Sequence, residues 1–376
     1  MSPRGASFRS TMPWRPLMPL KVIVAATLAL LSIPLWAADP STADLIRDGH
    51  YKRAFVILQE RLNTNSNDAR SHTEMSKVAA AFQRWDDAVS HAEKAVAIDG
   101  KNADFHSALA DALGSKLSGA QLGSFEKLSL ARRFKKEAEL TLQMDPNNVE
   151  ANEDLMQFHL DAPGLLGGDK QKAEDMANRM VTISPAQGYL MKIEFATHEK
   201  HIAELDSLFQ HALDADPKNC FAHVQAANYY LERGGPNLTR AEDLAKQAIQ
   251  INPSRVGGYT ALATLYAQQG RWKELDSVLA DSKREVPDDF SPHYQAAKAI
   301  LTSNHEDHLP AAEQYLQVYL SQPPEGNEPS LSAAHWRLGL ILEKEGRKPQ
   351  AKEELQQAVT LDHNFEPAKK DLKRLQ

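Results

Sequence analysis

HWRLGLILEKEGRKPQAKEELQQAVTLDHN, His335–Asn364, decides the fold. Its apolar residues recur at helical spacing on both sides of Gly346, the signature of two amphipathic helices joined at a glycine. Earlier in the chain YTALATLYAQQGRWKELDSVLADSKREVPDD, Tyr259–Asp289, keeps the same register around Gly270 and closes at Pro287. Proline suits that place because it lacks a donor and clashes with the preceding turn, so it ends a second helix.

The same register continues outward from both stretches. A half-length opening unit contains Gly49, Tyr51 and Ala54, and the next runs from Ala69 to Asn102 with Met75, Trp85, Ala88, Ala92 and Ala95. Further units close at MDPNN (Met144–Asn148), ISP (Ile183–Pro185), ADPKN (Ala215–Asn219), INPSR (Ile251–Arg255) and SQPP (Ser321–Pro324), for about nine in all. Small residues at one helical stripe, such as Ala241, Ala245 and Ala248, let paired helices approach closely. One hairpin alone leaves an apolar face in water, so only stacking buries a core, and residues 366–376 read as a charged helix capping the last unit.

Leu338, Gly339, Leu342, Ala351, Leu355 and Ala358, with their counterparts Leu262, Ala263, Tyr266 and Leu279, carry a resemblance to the tetratricopeptide repeat (TPR) superfamily. The resemblance extends from about Ser41 to the C-terminus, and the proline-glycine segment with Pro163, Gly164, Gly167, Gly168 and Lys170 is similar to a loop of exported bacterial TPR proteins. It implies an all-α solenoid, a right-handed superhelix of helix-turn-helix units over residues 39–365, which acts by binding other molecules.

The N-terminus differs. Arg4, Arg9, Arg15 and Lys21 precede the apolar run VIVAATLALLSIPLWAA, which is short, broken by Pro34 and followed by DPSTAD. Basic, then apolar, then small is the layout of a secretory signal, so residues 1–38 are expected to be cleaved near Ala37 or Ala38. The expected location is the periplasm; a retained segment would instead anchor the repeats at the inner membrane, the only membrane contact expected. The chain carries a formal charge of −7, and losing four basic residues makes it more acidic. That argues against a nucleic-acid partner. The single Cys220 allows no intrachain disulfide.

Two units are enlarged, 103–148 and 149–185. Their surplus falls in GSKLSGAQLGSFEKLS (Gly114–Ser129) and DAPGLLGGDKQKA (Asp161–Ala173), both expected to be loops between the two helices of a hairpin. Such turns line one rim of a solenoid, where insertions serve binding. Pro163, Gly164, Gly167, Gly168 and Lys170 are therefore candidate partner-binding loop residues. They do not form a phosphate cradle, which needs a hydroxyl residue after the lysine and a strand before the loop.

Catalytic chemistry finds no constellation. THEKH and NHEDH space their histidines three apart, not four as on a zinc-protease helix, so no metal and no cofactor are expected. No GxSxG elbow occurs, and Cys220 has only His223 nearby on the same predicted helix. The chain is therefore read as a non-enzyme. In the superfamily it resembles, first helices line a concave groove, and the matching positions hold Phe221, Val224, Asn228, Tyr294, Lys298 and Trp336. Aromatic and aliphatic side chains there suit an extended peptide or an amphipathic helix. Asn228 and Lys298 alone do not make the carboxylate clamp of some cytosolic TPR co-chaperones.

The expected function is thus a scaffold of the bacterial envelope that binds a protein or peptide partner in its groove or inserted loops. A periplasmic small-ligand or transporter-accessory protein is the alternative, and self-association through exposed solenoid surfaces is a further expectation.

Overall fold

The structure, a computed structural model, describes residues 40–303, 305–326 and 329–375. The expected signal segment, 1–38, lies outside them. Among the described residues the order is α1 (Thr42–Asp48), α2 (Tyr51–Thr64), α3 (Ala69–Ala81), α4 (Trp85–Ile98), α5 (Ala103–Gly119), α6 (Ser124–Met144), α7 (Val149–Asp161), α8 (Lys170–Ile183), α9 (Pro185–His198) and α10 (Leu205–Ala215). There follow α11 (Cys220–Arg233), α12 (Asn237–Ile251), α13 (Gly257–Gln269), α14 (Trp272–Glu285), α15 (Ser291–Thr302), α16 (Leu309–Leu320), α17 (Leu331–Lys344), α18 (Lys348–Leu361) and α19 (Glu366–Leu375). The chain is an all-helical repeat protein. Among the described residues nine hairpins, α1–α2 through α17–α18, stack in order, and α19 covers the last.

The Asp-Pro-x-Asn signature wires two of the links between units, 145–148 and 216–219. Asp145 and Asp216 accept from the backbone N–H two residues on, at 3.0 Å each, and so make a compact Asx turn. The asparagine that follows caps the next helix: Asn148 accepts from Ala151 and Asn219 from Ala222. Asp68 and Asn102 cap α3 and α5 in the same way. Proline was the expected stop signal in these links; the flanking Asp and Asn also start the next helix.

The stripe of small residues forms the seam within each unit. Ala88, Ala92, Ala241, Ala351 and Ala358 are at most 2% exposed, so second helices lie against their partners with little side chain between them. Charged pairs along the hairpin-turn rim join neighbouring units, including Lys116–Asp86 at 2.7 Å, Lys170–Glu199 at 2.8 Å and Lys344–Glu306 at 2.6 Å.

The enlarged third unit differs from its expectation. Its surplus lies mostly in helix: α5 and α6 span 17 and 21 residues, and only residues 120–123 connect them. Leu117, Glu126, Lys127 and Leu128 are good helix formers, and Gly123 gives α6 an extended N-cap instead of a long loop.

Stacking also turns the solenoid back on itself. The turn between α1 and α2 meets the links after α12, α14 and α16, with Asp48 and Lys52 reaching across from the first unit. Helices pack mainly against neighbours in chain order, so this closure is made by turns and side chains.

Candidate functional site

First helices pack side by side in the series α3–α5–α7–α9 and again in α11–α13–α15–α17. Between α9 and α11 that packing opens. Pro185 begins α9 one residue after α8 ends, and Gly188 presses on α8 so closely that a Cβ would lie 2.1 Å from the Val181 nitrogen. The one-residue link holds the start of α9 against α8. The opening is a cleft of about 720 Å³ on the first-helix face, with Leu190, Ile193 and Phe209 beside the carboxylates Glu153, Asp154 and Glu194. Phe221, 44% exposed, stands on its far wall.

The carboxylates are held in unfavourable surroundings. Burial, then the charges of Asp111, Glu150 and Glu153, push Asp154 up to about 8 against the pull of Lys77. Burial followed by Glu194 and Glu150 pushes Glu153 up to about 7. Asp111 and Glu194 are raised as well, chiefly by burial. Lys77 answers this charge: burial works against its ammonium, but Glu150, 2.6 Å away, holds it above its ordinary value. Asp154 Oδ2 and Gln157 Oε1 are buried and have no hydrogen-bond partner. Gln187 Nε2 donates to Glu153 Oε1.

An acceptor-rich cleft with an apolar floor suits a side chain with an aliphatic stem and a cationic head. The cation would supply the donor that Asp154 lacks and lower the cost of ionising its neighbours.

The groove residues expected from sequence do not gather at this cleft. Phe221 lines it. Asn228 and Lys298 are exposed and Val224 is half-buried, its methyls filling the space above Gly257. Tyr294 is 4% exposed and its ring lies 5.2 Å from that of Tyr319, a core position. Trp336 packs on Phe365 and donates from Nε1 to Asp371 at 2.8 Å, so it seats the capping helix. The same groove register in the earlier, more polar units holds Glu150, Glu153 and Gln157 on α7 and Gln187, Leu190 and Glu194 on α9, and all but Glu150 line the cleft; what register did not reveal is Asp154.

The glycine loop is a closed turn. Pro163 and Gly164 are exposed, and the carbonyl of Pro163 accepts from Leu166 at 2.7 Å and Gly168 at 3.3 Å. Asp169 N–H reaches His159 O at 2.9 Å, while His159 Nδ1 donates to Gly167 O at 3.0 Å. A Cβ at Gly168 would lie 1.7 Å from Ala162 O, so only glycine fits. Its amides are thus largely used internally, and Lys170 pairs with Glu199.

Cys220 is 7% exposed, its Sγ points to Ala248 O, and burial raises its thiol. His223 turns away, donating from Nδ1 to Asn219 O at 2.9 Å. Among the described residues no group of three His, Cys, Asp or Glu side chains is arranged to hold a metal.

No family model and no curated protein matches the chain. Among solved structures it is similar to a thermophilic TPR protein of Thermus thermophilus, at 14% identity and a TM-score of 0.43 over 49% of this chain and 92% of that one. It is also similar to yeast Tom70, at 14% identity and a TM-score of 0.47, covering 89% of this chain and 79% of that one. A human IFIT1 dimer with m7Gppp-AAAA gives 17% identity and a TM-score of 0.47 over 89% and 79%. Likeness at these levels transfers no ligand or partner to this chain.

Proposed function

We propose that the chain is a TPR solenoid acting without catalysis as a protein-interaction scaffold, and that its cleft between α7, α9 and α11 takes a basic segment of a partner. The observation that carries this reading is the unpartnered Asp154 carboxylate oxygen, buried among raised carboxylates beside an apolar floor and the exposed Phe221. A lysine or arginine side chain satisfies both halves of that surface at once. The basic-then-apolar N-terminus supports export to the periplasm, with an envelope protein as partner.

The test is binding of labelled Lys/Arg-rich and Asp/Glu-rich peptides of equal length to the purified chain. The basic peptide is expected to bind, and Asp154→Asn with Glu153→Gln to weaken it by about tenfold. Equal binding of both peptides, or full binding to the double variant, overturns the reading. Intact mass of the protein recovered from the envelope tests removal of residues 1–38, and crosslinking there with the double variant as control tests for a partner.

A further inference from the structure

The first hairpin does more than begin the stack. His50 Nδ1 lies 2.9 Å from Asp288 Oδ2 and 3.1 Å from Oδ1, across 238 residues of sequence. Lys52 Nζ donates to Asp288 O at 2.7 Å and Pro323 O at 2.8 Å, and pairs with Glu325 at 3.2 Å. The Lys52 backbone N–H, a free donor in the first turn of α2, is accepted by Glu325 Oε1 at 2.7 Å. His50 makes no side-chain cap of its own, so a carboxylate from the link before α17 caps α2 instead. Asp48 accepts from Asn252 at 3.1 Å and Ser254 at 3.3 Å. One small hairpin thus holds three separate links by charged and polar groups.

These contacts are polar, and on opening each group can exchange its partner for water. The closure also borders the acidic face. Tyr51, half-buried beside it, feels the charges of Arg255 and Glu325 and also those of Asp111 and Lys77. Asp111 and Lys77 in turn act on Asp154 in the cleft.

We propose that α1–α2 is a detachable clasp, closing the superhelix over its acidic face and opening to admit a partner. The gating role rests on the cleft being the binding site; the clasp itself does not.

The titratable groups make opening pH-dependent. The charged groups that act on His50 are Asp288 of one link, Glu325 of another and Arg53 of its own hairpin. Burial opposes its charge, but the hydrogen bond and charge of Asp288 outweigh it and raise its pKa. Its contribution is therefore full below its ordinary 6.5 and is lost as pH rises through the elevated value. Burial also raises Glu325 to about 7, so the closed form weakens further between its ordinary 4.5 and that value. Asp288 is lowered by His50 despite burial, and opposes closure only below its ordinary 3.8. Closure is favoured in mild acid and opening in mild alkali.

Spin labels at Val56→Cys and Glu285→Cys in full-length Cys220→Ser protein read the distance directly. The wild-type clasp should give one narrow distribution near about pH 6 that lengthens and broadens near about pH 9. Asp288→Ala with Glu325→Ala should give the long distribution at both, with unchanged helix content. Identical distributions for wild type at both pH values and for the variant overturn the clasp. Basic-peptide binding is measured on the same samples. If distances change but the opened variant binds the peptide no better than wild type at the same acidic pH, the clasp is no gate. If the peptide binds none of them, the cleft reading fails and the distances alone decide the clasp.

Discussion

Arg271 and Glu242 show what a single pair contributes between units. The guanidinium reaches both carboxylate oxygens of Glu242 on the preceding second helix, at 2.6 and 3.1 Å, and lowers its pKa to about 2. Arg347 repeats the arrangement with Glu313 at 2.5 Å. Because the Glu242 pKa is depressed, its stabilisation is present above the ordinary 4.5 and is lost as pH falls toward about 2. Glu242→Gln should therefore cost about 2 kcal/mol at neutral pH after allowance for partial exposure, with the difference from wild type vanishing in acid melts. Lys200 sits at φ 62, a left-handed conformation that costs a side chain free energy. Lys200→Gly should raise stability by about 0.5 to 1 kcal/mol, read as a higher Tm.

Helices of one register serve two purposes here, and substitution separates them. Phe221 on α11 and Tyr294 on α15 both fall at groove positions of the register, yet one is 44% exposed and the other 4%. Tyr294→Ala should cost about 3 kcal/mol in chemical denaturation. Phe221→Ala should change stability by about 0.5 kcal/mol or less and instead weaken the basic peptide. Peptide affinity should also rise with pH through the raised values of Glu153 and Asp154, about 7 and 8, because a bound cation favours their ionised forms. Sequence could not tell the two aromatics apart: both recur at the groove spacing, and it is the opening between α9 and α11 that leaves Phe221 exposed.

At the scale of the whole molecule, units lend stability to their neighbours, and the ends matter most. Trp336 and Phe365 meet beneath α19, and Arg374 pairs with both oxygens of Glu343. Removing residues 366–376 should speed hydrogen exchange in α17 and α18 while leaving α3 to α6 protected. Equal loss of protection throughout would mean that the array unfolds as one cooperative body.

The sequence by itself determined the helices other than the extensions of α5 and α6, together with the hairpin register, the alanine seams and the site of the capping helix, because these rest on spacing and on turn chemistry within a few residues. The tertiary structure alone decided which first-helix residues are groove and which are core, since that depends on the packing angle between neighbouring units. It alone brought Asp48, His50 and Lys52 to Asn252, Asp288 and Glu325. The nearest sequence signal was the ten-residue link 321–330, where the links at 145–148 and 216–219 use four. Small rotations from unit to unit add up along a solenoid, and a contact set by their sum leaves no local mark in the sequence.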